Sequence, residues 1–448
     1  MSHDKDYFKG KKITVMGLGL LGRGVGDTAF LAECGAEIIV TDLKDKEQLA
    51  DSLKQLEEYT TITYRLGEHR EEDFRGRDMI LKAAGVPLDS PYIHLAHEDG
   101  AEIAMSGALL AKLSGVPIIG VTGTRGKSTV THMIHHVLTH ATEGGKVLLG
   151  GNVRGVSNLQ LLKEVEDDTL IVMELDSWQL QGFGTYEISP HISVFTNFME
   201  DHLNYYGGDM DAYFKDKANI FRFQEESNVF VTTREVFERA RAFAQKEGFE
   251  LNQDIKIVDT SLLPDDCVLA IPGEHNRLNA ALALEALRAI GLTDEEIFQW
   301  LGTFTGVPGR LEYIGEVKGI KVYNDATATS PDAVIVALET LGLSKNIVLI
   351  LGGVDKGFKL DKLVASVNVF AREVIFLPGN GTDRLIDHIQ NSDSKIYETL
   401  EDAVSRAFLV CRPGDILLLS PGFSSKNIFK NEYDRYDQFN AIVAHINE

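Results

Sequence analysis

The sequence has few cysteines, a deficit of basic residues and no long apolar run, and each absence excludes a class of protein. Its three cysteines, Cys34, Cys267 and Cys411, lie far apart among 448 residues, which fits neither a disulfide framework nor a cysteine metal site. No segment of about 20 residues is apolar without interruption, so the sequence predicts no membrane span. The polar N-terminal residues lack the apolar core of a signal peptide, and we expect a cytoplasmic protein.

The charge balance limits the kinds of partner. Lys and Arg number 44 against 67 Asp and Glu, which gives a formal net charge of −23. Such a surface repels nucleic acid and anionic membranes, so we expect no nucleic-acid partner. We also expect small-molecule substrates and a monomer. An anionic substrate must then be held by local groups, such as backbone amides, a few lysines and arginines, or Mg²⁺.

Strands and helical stretches alternate from end to end, which predicts α/β domains with mainly parallel sheets. At about 150 residues per domain, the length predicts three domains. Ligands in open sheets of this kind bind at the carboxyl ends of the strands. The residues that follow the strands are therefore the expected site positions.

The segment from Pro117 to Thr131 has the pattern of a nucleoside triphosphate site. A short apolar strand leads into a glycine-rich turn, and Lys127 and Ser128 then open a helix. Glycines in such a turn let backbone N–H groups approach phosphate oxygens, and the helix adds the positive end of its dipole. Lys127 can reach the β- and γ-phosphates, and the Ser128 hydroxyl can ligate Mg²⁺. The turn is one residue longer than the usual pattern, because the first glycine is Gly120.

A second glycine turn follows the first predicted strand. Gly17, Gly19 and Gly22 precede a helix, and Asp42 follows the next strand. This pattern fits any nucleotide whose diphosphate lies on the helix N-terminus and whose sugar hydroxyls meet the carboxylate. NAD and a UDP-sugar are both such ligands, and a packing turn without a ligand is a third interpretation.

Several polar residues follow apolar strands or begin helices. Glu174 ends a strand in the same unit as the phosphate turn and can hold Mg²⁺, or it is a solvated carboxylate. His202 can ligate a metal or contact substrate, although a lone loop histidine often does neither. Asn276 and Asn279 begin a helix, where they can read a base edge or cap the helix. Asp325 follows a strand and can hold a ribose.

Taken together, these motifs resemble the Mur ligase family, the amide-forming enzymes of peptidoglycan precursor synthesis. The resemblance covers nearly the whole chain. The motifs of the family resemble segments of this chain, and these segments occur in the same order as in the family. They are 120–129, 151–152, 174–180, 197–202, 216–218, 273–279, 309–310, 324–325 and 420–422. Within the family, the chain most resembles the members that add D-glutamate. It lacks the Asp-Asn-Pro-Arg motif of the diaminopimelate-adding members.

The resemblance implies an ATP-dependent ligase that adds D-glutamate to UDP-N-acetylmuramoyl-L-alanine through an acyl phosphate. It also implies three domains. A Rossmann-like UDP-substrate domain spans 1–105, a central P-loop-type ATPase domain spans 106–306, and a Rossmann-like amino-acid domain spans 307–448. The C-terminal domain is expected to close over ATP through a hinge near 307–310.

The resemblance assigns roles to individual residues. The catalytic residues would be Lys127, Glu174, His202 and Lys217. The expected cofactors are ATP and two Mg²⁺ ions, with Ser128, Glu174, His202 and a carbamoylated Lys217 as metal ligands. ATP would contact Gly123, Thr124, Arg125, Gly126, Lys127, Ser128, Thr129, Asn276, Asn279, Arg310 and Asp325. The UDP substrate would contact Gly19, Leu20, Leu21, Asp42, Gly85, Asn152 and Gln179. D-Glutamate would contact Thr327, Thr329, Lys356 and Ser425.

Without the resemblance, the residues alone predict that Lys217 is an exposed helix lysine. Departures from the family pattern affect amino-acid specificity: Thr327 replaces a family lysine, and a hydroxyl supplies no positive charge to a carboxylate. Ala83 and Ala84 stand in place of Ser-Pro, and Glu432 replaces an aromatic residue.

Four alternative functions remain open. They are a Mur-type ligase for another amino acid, a folylpolyglutamate synthase-like ligase, an NAD-dependent dehydrogenase and a non-catalytic nucleotide-dependent protein.

Overall fold

The structure is a computed structural model that describes residues 6–20, 22–142, 145–202, 205–264, 266–271, 273–342, 344–355, 357–425 and 428–447. The chain divides into two compact units. The first comprises Met1–Leu269 with Glu274–Thr303, and the second comprises Ala270–Gly273 with Phe304–Glu448.

The first unit opens with a five-stranded parallel sheet in the order β3-β2-β1-β4-β5. Its strands are β1 (Lys12–Met16), β2 (Glu37–Asp42), β3 (Thr63–Leu66), β4 (Met79–Lys82) and β5 (Glu102–Ala104). Its helices are α1 (Arg23–Glu33), α2 (Ala50–Lys54), α3 (Pro91–Glu98) and α4 (Ser106–Ser114), with a 3₁₀ turn at Glu71–Phe74. Apolar residues on both faces, such as Ile13 on one face and Ile80 on the other, are fully buried.

A six-stranded parallel sheet follows in the same unit, in the order β11-β10-β9-β6-β8-β7. Its strands are β6 (Ile118–Thr122), β7 (Val147–Gly151), β8 (Leu170–Glu174), β9 (Ile192–Phe195), β10 (Val229–Thr233) and β11 (Asp254–Val258). Its helices are α5 (Lys127–Ala141), α6 (Asn158–Leu161), α7 (Ser177–Thr185), α8 (Met210–Ala218), α9 (Arg234–Glu247), α10 (Glu274–Ile290) and α11 (Asp294–Leu301). Two 3₁₀ turns occupy Leu162–Glu164 and Thr260–Leu262.

The second unit contains a six-stranded sheet in the order β12-β13-β17-β14-β15-β16. The β12 edge strand is antiparallel, and the other pairs are parallel. Its strands are β12 (Glu312–Val317), β13 (Ile320–Asn324), β14 (Ile347–Leu351), β15 (Ala371–Phe376), β16 (Ser392–Ile396) and β17 (Ile416–Leu419). Its helices are α12 (Pro331–Leu341), α13 (Asp361–Phe370), α14 (Asn380–Asp383), α15 (Leu400–Val410) and α16 (Glu432–Asn447), with a 3₁₀ turn at Ile386–His388.

In the first unit, α1 packs against α6 through a fully buried carboxylate. Asp27 accepts hydrogen bonds from the Ser157 hydroxyl at 2.6 Å and from Leu159 N at 3.0 Å. Burial raises the pKa of Asp27, and the Ser157 hydroxyl opposes that rise. A Cβ at Gly26 would lie 2.5 Å from Ser157 Cβ, so glycine permits this close approach. The two parallel sheets of this unit are therefore joined by specific polar contacts.

The predicted α/β class is confirmed, with mainly parallel sheets in both units. The predicted boundaries 1–105, 106–306 and 307–448 stay a prediction. Each helix that the structure describes is too short or too polar to cross a membrane.

Candidate active site

The phosphate turn lies between β6, which ends at Thr122, and α5, which begins at Lys127. Gly123 has a φ of +147° and Gly126 a φ of +81°, conformations that residues with side chains rarely adopt. A Cβ at Gly123 would lie 1.9 Å from Thr196 Oγ1. Both glycines are thus required by backbone conformation, and Gly123 also by contact with the neighbouring segment.

The segment after β9 holds the turn in place. Thr124 N donates to Asn197 O and Arg125 N donates to Asn197 Oδ1, both at 2.9 Å. The Thr196 hydroxyl donates to Arg125 O at 2.5 Å. The Arg125 side chain, about half exposed, lies 3.8 Å from Asp201. The predicted segment 197–202 therefore supports the turn through backbone and side-chain contacts.

Two lysines from different helices meet at the turn. Lys127 Nζ donates to Gly123 O at 3.0 Å and to Thr124 O at 3.1 Å. Lys217 Nζ, from α8, donates to the same Gly123 O at 2.8 Å and to Thr122 Oγ1 at 3.3 Å. Lys217 is 1% exposed, so the prediction of an exposed helix lysine, made from the residues alone, is wrong. It lies on the buried face of α8, one turn after Tyr213.

The electrostatics of Lys217 favour a neutral amine. Burial and then the neighbouring Lys127 lower the pKa of Lys217 well below its ordinary value, while Asp176, Asp201 and Asp216 act in the opposite direction. An uncharged amine is a nucleophile, whereas an ammonium is not. This side chain can therefore react with an electrophile such as CO₂.

His202 lies near both lysines. Burial lowers the pKa of its imidazole, Lys217 and Lys127 act in the same direction, and Asp201 opposes them. The His202 ring lies 4.8 Å from the Trp178 ring, and its backbone has a φ of +51°. A neutral imidazole held among aromatic rings can offer a nitrogen lone pair to a cation.

Glu174 ends β8, where it pairs in register with Val121 of β6. The residue is 4% exposed, which rules out a solvated carboxylate. Asn152 Nδ2 lies 3.5 Å from Glu174 Oε1, and Asn152 Oδ1 accepts from Arg23 Nη1 at 2.5 Å. The carboxylate therefore lies beside the phosphate turn, in contact with an asparagine that also meets α1.

Asn276 and Asn279 lie in the first turns of α10 and are both buried. Asn279 Nδ2 donates to Asn276 Oδ1 at 3.1 Å. A Cβ at Gly126 would lie 2.5 Å from Asn279 Oδ1, so this pair packs against the end of the phosphate turn. Ser128, 7% exposed, and Thr129 follow in the first turn of α5.

The first glycine turn is held by Asp42. Its carboxylate accepts from Gly19 N at 3.2 Å and from Lys44 N at 2.9 Å, and the residue is 4% exposed. Leu20 is half exposed at the turn, whereas Leu21 lies outside the described residues. Asp42 therefore orders this turn, whether or not its oxygens also meet sugar hydroxyls.

Two more predicted contacts of the UDP substrate differ in burial. Gly85 is exposed in the turn after β4. Gln179 is 5% exposed, and its Oε1 accepts from Asp176 N at 3.3 Å in the capping box that begins α7. That bond uses the amide oxygen of Gln179 and leaves its NH₂ group to donate elsewhere.

In the second unit, Asp325 follows β13 and is buried. Its carboxylate accepts from Leu311 N at 3.0 Å and from the Ser420 hydroxyl at 2.6 Å. Burial raises the pKa of Asp325 to about 7, and these donors and Arg310 act in the opposite direction. Arg310 itself is exposed.

The predicted D-glutamate residues lie on loops of this unit. The Thr327 hydroxyl donates to Gly309 O at 2.7 Å, so its single proton is already engaged. Ser425 is 3% exposed, Thr329 is half-buried, and Lys356 lies outside the described residues. Buried Arg435 of α16 donates to Ala326 O at 2.6 Å and to Phe423 O at 3.3 Å, which ties two of these loops together.

The side chains near the phosphate turn can bind Mg²⁺ only if phosphate oxygens or water complete the coordination shell. Among the described residues, no group of three or more histidine, cysteine or carboxylate side chains is arranged to hold a metal. Ser128, Glu174 and His202 offer a hydroxyl, a carboxylate and an imidazole from separate elements. Mg²⁺ commonly takes one or two protein ligands and completes its shell with phosphates and water. The residues therefore fit a metal bound together with a nucleotide.

The sequence interpretation did not identify three residues of this region. Asp176 caps α7 and acts electrostatically on Lys217 and His202. Tyr213 places its ring 5.0 Å from Lys217 Nζ. Lys82 ends β4 and is 2% exposed. Lys82 carried the same signal as Glu174, a charged residue at the end of an apolar strand.

Three family models match the chain. They are described as Mur ligase MurD-like, N-terminal domain, over residues 11–105, Mur ligase middle domain over 121–287, and Mur ligase, glutamate ligase domain over 309–423. The second range contains the phosphate turn, Glu174 and Lys217. The third contains Asp325 and Thr327.

Full-length relatives agree with these matches. The chain is 34% identical to UDP-N-acetylmuramoylalanine--D-glutamate ligase of Roseiflexus sp. (strain RS-1), over 97% of this chain and 98% of that one. It is 31% identical to the enzyme of the same name from Borreliella afzelii (strain PKo), over 98% of each.

Solved structures share the fold. UDP-N-acetylmuramate-alanine ligase from Thermotoga maritima matches with a TM-score of 0.62 at 20% identity, over 97% of this chain and 99% of that one. FolC from E. coli in complex with DHPP and ADP matches with a TM-score of 0.57 at 19% identity, over 81% of this chain and 99% of that one. With its three matching domain models and its full-length relatives, the chain belongs to the Mur ligase family.

Proposed function

We propose that this protein is an ATP-dependent ligase that joins D-glutamate to UDP-N-acetylmuramoyl-L-alanine in the synthesis of peptidoglycan precursors. The structural observation that supports this most is the convergence of Lys127 and Lys217 on Gly123 O. An amide ligase brings a substrate carboxylate to the γ-phosphate, and these two anions repel each other. A phosphate turn with a second reactive lysine beside it suits that task. We also infer that the protein acts as a monomer in the cytoplasm.

The reaction has two steps. The carboxylate oxygen of the UDP-linked substrate attacks the γ-phosphorus of ATP, ADP leaves, and an acyl phosphate forms. The amine of D-glutamate then attacks the acyl carbon, and the tetrahedral intermediate releases inorganic phosphate and a proton. Lys127 and the amides of the phosphate turn orient the γ-phosphate, and catalysis is mainly positioning and charge neutralisation.

We propose that Ser128, Glu174 and His202 hold two Mg²⁺ ions together with Lys217 in a carbamoylated form. Magnesium supplies charge neutralisation of the phosphate oxygens and of the approaching carboxylate. Addition of CO₂ to the neutral Lys217 amine forms a carbamate and releases a proton. The burial of Lys217 supports this proposal, because it favours the neutral amine that the addition requires.

The remaining assignments follow the position of each residue. The N-terminal sheet, with Gly19, Leu20, Asp42 and Gly85 on its turns, would bind the UDP portion, and Asn152 and Gln179 the muramoyl-alanine portion. Asn276, Asn279, Arg310 and Asp325 would contact ATP. Thr329 and Ser425 would contact D-glutamate, whereas Thr327 can do so as a donor only by exchanging its bond to Gly309 O.

The test is a phosphate-release assay with a panel of amino acids. With UDP-N-acetylmuramoyl-L-alanine, ATP and Mg²⁺, we expect phosphate release that depends on D-glutamate and a dipeptide nucleotide as product. Release only with another amino acid would assign the protein to another branch of the family. No release with any substrate would favour a non-catalytic protein, and NADH formation with an alcohol substrate would favour a dehydrogenase.

A further inference from the structure

Lys82 is a buried lysine at the carboxyl end of β4, in the sheet that carries the first glycine turn. It pairs in register with Met16, the last residue of β1, and Ala83 N donates to Met16 O at 2.9 Å. A Cβ at Gly17 would lie 3.0 Å from Ala83 Cβ. The turn after β4 and the glycine turn after β1 are therefore in contact, and Lys82 stands at the base of both.

The Lys82 ammonium has few partners. Its Nζ donates to Val86 O at 2.8 Å, and within the described parts of the chain this is its single hydrogen-bond acceptor. An ammonium carries three N–H donors. Since the residue is 2% exposed, two of them are buried without an acceptor among the residues that the structure describes. Buried donors of this kind are rare unless a ligand or water satisfies them.

Nearby carboxylates do not neutralise it by contact. Burial lowers the pKa of Lys82 to about 8. Asp176, which caps α7, and Asp216 of α8 oppose that shift. Yet neither forms an ion pair with Lys82 within 4.0 Å among the described residues. Asp176 accepts from Gln179 N at 2.8 Å, and Asp216 accepts from Gln181 Nε2 at 2.8 Å and Tyr206 OH at 2.9 Å.

We propose that the Lys82 ammonium binds an anionic group of the UDP-linked substrate. Its place at the carboxyl ends of β1 and β4 is where open α/β sheets bind ligands. The diphosphate and the carboxylate of the substrate offer the same chemistry, an oxyanion that accepts charge-assisted hydrogen bonds. The inference rests on the proposed function, because that function supplies the substrate.

The experiment is calorimetric titration of wild type and Lys82→Met with UDP and with UDP-N-acetylmuramoyl-L-alanine at pH 7.0. We expect Lys82→Met to bind the full substrate at least about tenfold more weakly, as loss of a charged hydrogen bond predicts, with ATP affinity unchanged. Lys82→Arg, which keeps the charge, should recover part of the affinity. Lys54→Met, which changes an exposed lysine at the end of helix α2 in the same unit, is the control.

A pH series separates charge from structure. As the pH rises from 7 to 9.5, wild type should lose affinity for the substrate because Lys82 deprotonates. The affinity of Lys82→Met should not show this fall, because the variant lacks the amine. A merely structural lysine would leave the two profiles parallel, which would overturn the inference.

The two ligands then identify the bound group. Weaker binding of both UDP and the full substrate assigns Lys82 to the diphosphate, and weaker binding of the full substrate alone assigns it to the carboxylate. Equal affinities for both ligands in wild type and Lys82→Met would overturn the inference while leaving the ligase proposal intact. Failure of wild type itself to bind either ligand would instead overturn the proposed function.

Discussion

A buried lysine is costly in a protein interior, and the described residues of the first unit include two, Lys82 and Lys217, whose amines lie near the carboxyl ends of strands. An unpaired buried charge is usually avoided or neutralised by a shift in pKa. Both lysines show that shift, Lys82 moderately and Lys217 strongly. A buried apolar side chain at either position would stabilise the fold more than the lysine does. The retention of a lysine at each position therefore supports a chemical role for both.

Replacing Lys217 tests its use directly. Lys217→Ala should lower ligase turnover by about 100- to 1,000-fold, the loss seen when one charge-stabilising group is removed. Short carboxylates such as formate should restore part of the activity by occupying the space of the carbamate. Wild type incubated with ¹³C-bicarbonate should show a carbamate carbon signal by NMR that Lys217→Ala lacks.

Lys215 provides the matched control for that experiment. It lies on the exposed face of the same helix, 4.0 Å from Glu247, and Lys215→Ala should keep turnover near that of wild type. Retention of ATP binding in Lys217→Ala would show that the turn still folds. Wild-type turnover in Lys217→Ala would remove this lysine from the mechanism.

At the scale of elements, the phosphate turn depends on the contact between two strand-end segments. Gly123→Ala would force a Cβ into Thr196 Oγ1, the hydroxyl that holds Arg125 O. We expect ATP affinity to fall at least about tenfold, since the N–H groups that cradle phosphate would be displaced. Fluorescence titration with a nucleotide analogue measures this.

A control separates backbone strain from that clash. Gly248, the exposed residue that ends α9, has a φ of +77° and open space around its Cβ position. Gly248→Ala should therefore destabilise the protein by about 1 to 2 kcal/mol through strain alone and leave ATP affinity unchanged. Equal loss of ATP affinity in both variants would contradict the role given to the Gly123 contact.

A strong apolar run followed by polar residues makes a strand predictable from the sequence, although the sequence interpretation missed β4, which has such a run. Strands β6 and β9 are fully buried, β8 is buried except at Leu170, and all three read clearly as apolar runs followed by polar residues. The edge strand β3 (Thr63–Leu66) has no fully buried residue, so its pattern carries little signal. Edge strands are specified by pairing with a neighbour, a non-local interaction that a local pattern does not record.

The candidate site divides in a similar way. The glycine turns and Glu174 could be predicted because their chemistry is local: a glycine for a positive φ, a carboxylate at a strand end. Lys217 could not be placed by that reasoning, since its burial depends on α8 packing across the end of β6. One signal was available, because Tyr213, Phe214, Lys217 and Ala218 recur at helical spacing and share the buried face of α8.

At the scale of the whole molecule, the two compact units should unfold in separate transitions. By calorimetry, the transition that rises when UDP is added should belong to the first unit, because a ligand stabilises the folded unit that binds it. The second unit should then be recognised by its response to pH. Asp325 is the residue that we expect to dominate this response.

The sign follows from the raised pKa of Asp325. Its pKa is about 7 in the folded unit and 3.8 in the ordinary case, so between these values the folded unit holds a proton that the unfolded chain has released. Stability is therefore complete at acid pH and falls as pH rises toward 7. Three pKa units at about 1.4 kcal/mol each set an upper limit of about 4 kcal/mol.

Asp325→Asn should consequently raise the temperature of the second unit's unfolding transition at pH 8 relative to wild type. That temperature should then not change with pH between 5 and 8. Turnover should fall, because the carboxylate is lost. Asp361→Asn, which changes an exposed carboxylate in the first turn of α13, should follow wild type at each pH. If wild type showed no fall of the second transition between pH 5 and 8, the buried carboxylate would have to be compensated by its Leu311 and Ser420 donors and by Arg310.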